Sequence, residues 1–152
     1  MVGGKMIRPN INTWAIRLAE VTSSRSTCLR RHVGCVLLDR EGRVLSTGYN
    51  GVASGLQHCD ELGKCAERSE SPSGVDLNKC NSVHAEQNAL IQCPDVDKVF
   101  SAYVSTSPCI SCLKLFMNSG CQNIYFREEY DQPESKLLWL KVPGHTWLKI
   151  LS

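Results

Sequence analysis

The 152-residue sequence predicts an α/β fold, a sheet covered by helices, and three observations carry that prediction. Apolar residues change period along the chain, from the three-and-four spacing of a helix to short runs of strand length. The segments so marked follow the order α-β-β, a long irregular stretch, then α-β-α-β-α-β. The length is that of one globular domain with a single core, expected here over residues 1–152.

Ile11, Trp14, Ala15, Leu18 and Val21 recur at helical spacing and predict a first helix over 11–21. Residues 33–38 are a continuous apolar run, Asp39-Arg40-Glu41-Gly42 supplies a turn, and 44–49 reads as a second strand. Together they predict a β-hairpin, with Gly42 free to take a positive φ. From about 50 to 81 no period survives, and His58, Cys59, Cys65 and Cys80 fall inside this insertion. A loop of that length in a compact domain is normally functional or held by something. Order returns with a helix over 82–92, for which Ser82 is the candidate N-cap. A strand at 99–104, a helix at 109–118 with Gly120 just past its end, and a strand at 121–126 follow. A last helix near 137–140, stopped by Pro143-Gly144, and a short strand at 147–151 complete the pattern. Trp139 and Trp147 are expected in the core, with an oligomer contact as the alternative.

Hydrophobic content of 42%, charged content of 21% and a formal net charge of +2 describe an ordinary soluble chain. That charge gives no support to a nucleic-acid partner. No apolar run has the length of a membrane span, and residues 1–9 lack the apolar core of a secretion signal, so a cytoplasmic address is expected. Nine cysteines are many for a reducing compartment, and an odd count does not suit a fully paired disulfide framework. Metal binding is the better expectation for some of them. Cys35, Cys93 and Cys121 lie inside apolar strand or helix patterns and read as core residues.

His84-Ala85-Glu86 opens one predicted helix and Pro108-Cys109-Ile110-Ser111-Cys112 opens another. A catalytic zinc takes three protein ligands from imidazole and thiolate and keeps a fourth position for water. His84, Cys109 and Cys112 supply three. Cysteines three apart on a first helical turn face the same side, and the helix N-terminus favours their thiolates. Glu86 is then left to move protons, as in the H-x-E…P-C-x-x-C signature of zinc deaminases. It would take a proton from the attacking water, protonate N3 of a cytosine ring attacked at C4, and assist departure of ammonia. Buried core thiols, a redox pair and a structural histidine are the bland readings of the same residues. They do not explain why all four occur together in this order.

At these residues the chain resembles the cytidine and deoxycytidylate deaminase family, and most of all the dCMP deaminases of bacteria and their phages. The matching stretches are Arg25-Ser26-Thr27-Cys28-Leu29-Arg30-Arg31-His32-Val33-Gly34, Thr47-Gly48-Tyr49-Asn50-Gly51, His58-Cys59, His84 to Leu90, and Ser107 to Cys112. Arg127-Glu128-Glu129-Tyr130 is similar to the acidic stretch after the fourth strand. The resemblance implies a cytidine deaminase-like three-layer sandwich, a mixed five-stranded sheet with helices on both faces, assembled as a homohexamer. It implies conversion of dCMP to dUMP with release of ammonia, feeding thymidylate synthesis. Asn50 would hydrogen-bond the sugar, with Ala85 also lining the substrate site, and Arg25, Arg30 and Arg31 are candidates for the phosphate. The bland readings are a turn asparagine beside Gly51 and a solvated arginine face.

The family likeness also implies control by dCTP and dTTP near Gly48, Tyr49, Asn50 and Gly51, with Mg2+ accompanying the triphosphate. A second, structural zinc is implied at Cys28 and Cys59. Cys65 and Cys80 are candidates for its remaining ligands, with His58 as a substitute; scattered free thiols are the alternative. Competing functions are deamination of another cytosine nucleotide such as dCTP or a modified dCMP, deamination of a base within nucleic acid, and a non-catalytic zinc-stabilised binding protein.

Overall fold

The computed structural model describes residues 7–62 and 81–151. Helix α1 (Ile11–Ser23) leads into strands β1 (Gly34–Leu38) and β2 (Val44–Tyr49). The stretch expected to be irregular carries a short strand β3 (Gly51–Val52), one helical turn α2 (Cys59–Leu62) and a short strand β4 (Ser82–Val83). Helix α3 (Ala85–Gln92), β5 (Ser101–Thr106), α4 (Ile110–Met117), β6 (Asn123–Glu128), α5 (Pro133–Trp139) and β7 (Thr146–Lys149) follow.

The main sheet has five strands in the order β2-β1-β5-β6-β7. β1 is antiparallel to both neighbours, whereas β5, β6 and β7 run parallel, so the sheet is mixed as expected. Every residue of β1 is buried, which fits its unbroken apolar run: a central strand covered on both faces has no solvent side to pattern. Val36 and Leu38 face α1 together with Tyr103 of β5, while Cys35 and Leu37 face the opposite side with Ala102 and Val104. That opposite core takes in Ala85 and Ala89 of α3, Leu113 and Phe116 of α4, and Trp139 of α5. Helices therefore cover both faces.

Several boundaries differ from the sequence reading, and each has a local cause. The buried face of α1 is Thr13, Ala15, Ile16 and Ala19, while Ile11, Trp14 and Val21 are exposed. Small alanines let the helix sit close on the sheet, and that close approach outweighs the larger apolar stripe. Ser82 is not a cap. It belongs to β4, paired with Val52, and His84 occupies the N-cap of α3. The last helix starts at Pro133 rather than 137, with proline in its first turn where the missing N–H costs nothing. Gly42 turns the β1–β2 hairpin at φ +80° as anticipated. Trp139 is fully buried and donates Nε1–H to the Thr146 carbonyl, and Trp147 packs partly buried at the edge of the same core. Cys35 and Cys121 are buried and Cys93 half-buried. Among the described residues no helix is long and apolar enough to cross a membrane.

Candidate active site

Two helix N-termini meet at the carboxyl end of the parallel strands, the usual ligand position in an open α/β sheet. One is that of α4, reached directly from β5 through Ser107-Pro108-Cys109. The Ser107 N–H donates to the Glu128 carbonyl at 2.8 Å and its hydroxyl accepts from the Tyr130 N–H at 2.7 Å. These bonds tie the α4 entry to the loop leaving β6. The other is that of α3, which crosses β2 at close range. A Cβ on Gly48 would fall on the Ala85 carbonyl oxygen and the Ala89 nitrogen, so only glycine lets the helix come this near. Gly48, expected near a regulatory site, thus has a packing role that the sequence did not announce. Ser46 and Asn88 add bonds across the same contact, to the Ala89 carbonyl at 2.6 Å and the Tyr49 carbonyl at 2.9 Å.

His84, Cys109 and Cys112 converge at this junction, their ligand atoms all within 4.8 Å of one another. His84 Nδ1 lies 3.2 Å from Cys112 Sγ and 3.5 Å from Cys109 Sγ. Around a tetrahedral zinc with ordinary Zn–N and Zn–S bonds, nitrogen and sulfur sit about 3.6 Å apart. The donor set and its spacing fit that ion. Among the described residues this is the one group of three or more His, Cys, Asp or Glu side chains so placed.

The thiols have moved apart in acidity. Cys109 is held down at about 4, first by its hydrogen bond with Cys112 and then, against the cost of burial, by His84. Cys112 is pushed well above the ordinary thiol range by the same bond and by burial. Two sulfurs sharing one proton make a ready thiolate pair for a divalent cation. Glu86, 4% exposed, touches Cys112 through its carboxylate; burial pushes its pKa up to about 7, with His84 pulling the other way. The carboxyl is thus set against the metal-binding group in a dry place, the environment that lets a glutamate hold a proton.

The remaining predicted residues gather around this centre in part. β3 and β4 pair Gly51 with Val83, which brings the Tyr49-Asn50-Gly51 element alongside the residue before His84. Asn50 is buried; its Oδ1 accepts from the Val33 N–H at 2.9 Å and its Nδ2 donates to the Arg31 carbonyl at 2.7 Å. The amide thereby clamps the 31–33 segment and keeps one N–H and one lone pair for another partner. Arg25 lies over the Tyr49 ring at 5.8 Å and Arg31 over the Tyr130 ring at 4.5 Å; Arg25, Arg30 and Arg31 are all exposed.

His58 Nδ1 and Thr27 Oγ1 are 2.9 Å apart, so the segment bearing Cys28 runs beside the start of α2, where Cys59 is buried. Cys65 and Cys80 lie outside the described residues. The sequence reading also passed over two glutamines, Gln87 and Gln132. Gln87 Oε1 accepts from the His84 N–H at 2.8 Å and Gln132 Oε1 from the Ile110 N–H at 3.0 Å. For Gln87 the signal was available, since a glutamine three residues after an N-cap is half of a capping box.

A family model described as the cytidine and deoxycytidylate deaminase zinc-binding region matches residues 9–128. The chain is 34% identical over 143 residues to the deoxycytidylate deaminase of Saccharomyces cerevisiae, covering 93% of this chain and 45% of that protein. It is 33% identical over 130 residues to the deoxycytidylate deaminase of Mycobacterium phage D29, covering 82% of this chain and 99% of the phage protein. It therefore spans less than half of the yeast relative and nearly all of the phage one. Among solved structures, the dCMP deaminase of cyanophage S-TIM5 in complex with dCMP and dUMP superposes with a TM-score of 0.74 at 25% identity, covering 94% of this chain and 99% of that one.

Proposed function

The chain belongs to the cytidine and deoxycytidylate deaminase family, and from that footing we propose that it hydrolyses dCMP to dUMP and ammonia. The observation that carries the proposal is the convergence of His84, Cys109 and Cys112 beside the buried Glu86 carboxyl. The three donors would hold zinc, and zinc when bound supplies the Lewis acidity that lets water lose a proton near neutral pH. Glu86 takes that proton as oxygen adds to C4 of the cytosine, and passes it to ring N3. It then carries the second proton to the exocyclic amine, which leaves as ammonia. Burial of Glu86 keeps both transfers away from bulk water.

The free positions on Asn50 face the sugar in this reading, Ala85 offers its backbone at the helix start, and Arg25, Arg30 and Arg31 hold the phosphate. Cys28 and Cys59, with Cys65 and Cys80 or with His58 as a substitute, hold a structural zinc. The element Gly48 to Gly51 takes part in control by dCTP and dTTP, with Mg2+ on the triphosphate, in a homohexamer of single-domain chains acting on the cytoplasmic nucleotide pool. The phage relative matched over nearly its whole length supports the choice of dCMP.

The test is ammonia release from dCMP, dCTP, deoxycytidine and a cytosine-containing oligonucleotide under one set of conditions. The expected result is release fastest from dCMP. Release from the oligonucleotide alone would assign a nucleic-acid deaminase, and silence on all four with zinc bound would leave a binding protein.

A further inference from the structure

A helix N-terminus leaves its first N–H groups without intrahelical partners, and Ser, Thr, Asp or Asn at the N-cap normally accepts from one of them. In both helices that build the metal-binding group, the N-cap is instead a residue of metal-ligand type. The N-cap of α3 is His84 and the N-cap of α4 is Cys109, residues whose side chains point their donor atoms at each other and at Cys112.

We infer that Gln87 and Gln132 are positioning residues for the metal ligands, each accepting from a backbone N–H at or next to a ligand. Gln87, one turn into α3, reaches back so that its Oε1 holds the backbone N–H of His84 at 2.8 Å, fixing the backbone that aims the imidazole. Gln132 comes from a different element. As the N-cap of α5 it extends its Oε1 to the N–H of Ile110, the residue after Cys109, at 3.0 Å. The same oxygen accepts at 3.3 Å from the hydroxyl of Ser135, which is 1% exposed, so the glutamine is itself held from behind by a buried partner. The backbone at both ligands is pinned by a neutral acceptor that adds no charge beside the thiolates. A carboxylate in either place would do the same bonding. Outer partners of this kind, which orient ligands without touching the metal, commonly change metal affinity about 10- to 100-fold when removed.

The inference rests on the zinc site of the proposed function, and its test reads zinc directly. The full chain and its variants compete with a chromophoric chelator for zinc, with circular dichroism on the same samples. Gln87→Met and Gln132→Met, close in size but without the acceptor oxygen, are expected to bind zinc about 10- to 100-fold more weakly. Gln87→Glu and Gln132→Glu, which keep the oxygen, are expected to bind zinc more tightly than the methionine variants. Gln132→Ala carries the test for α4 if the methionine variant does not fold. Methionine variants that bind like the parent, or glutamate variants that lose as much as the methionine ones, overturn the inference. A parent chain that takes up no zinc overturns the proposed function as well, which separates the two failures.

Discussion

The junction of α3 and α4 and the wall formed by residues 25–31 with the start of α2 both carry cysteines, yet they are built in opposite ways. At the junction each ligand is a fixed number of residues from a helix start, and both helices press into one core through Ala85, Ala89, Leu113 and Phe116. At the wall, the segments bearing Cys28 and Cys59 meet where Thr27 bonds His58, and neither cysteine sits inside a long element. Residues at a helix start inherit their positions from core packing, whereas residues on short or irregular backbone take theirs from local contacts.

The sharpest way to break this contrast is to remove one cysteine from each place. Cys112→Ser takes a ligand from the junction and is expected to abolish turnover and catalytic zinc together. Cys59→Ser is expected to lower zinc from about two to about one per chain, with a smaller loss of turnover. Metal analysis alongside ammonia release checks both. A parent chain with one zinc removes the second site and leaves the wall as a set of free thiols.

A smaller effect probes the packing that places His84. Gly48→Ala inserts a Cβ where the Ala85 carbonyl and the Ala89 nitrogen already lie. Overpacking of this kind costs about 1–3 kcal/mol, and for a chain of this size that lowers Tm by about 2–12 °C. A thermal melt checks it. An unshifted melt would mean that α3 is not held to β2 at this point.

Much of the molecule was legible before the structure because its signals are local. The strand at 44–49, the turn at Gly42 and the helix after Cys109 follow from apolar runs and a glycine at a known place. The ligands His84, Cys109 and Cys112 follow from spacing. What escaped depends on distant partners. The buried face of α1 is set by how near Ala15 and Ala19 come to the sheet, which no helical period records. Ser82 looked like a cap because serine is a preferred N-cap and histidine is not, yet His84 holds that place. Gly48 and Gln132 act across elements 37 or more and 22 residues away in sequence, on Ala85 and Ile110, and no pattern along the chain joins them.

In the proposed reaction Glu86 moves protons and is not needed to hold the metal. The most direct measurement compares the parent with Glu86→Gln, scoring ammonia release from dCMP and zinc content on the same samples. Turnover is expected to fall by about 100-fold to 10,000-fold at undiminished zinc. Turnover that survives the substitution, or zinc that leaves with the carboxylate, would contradict it.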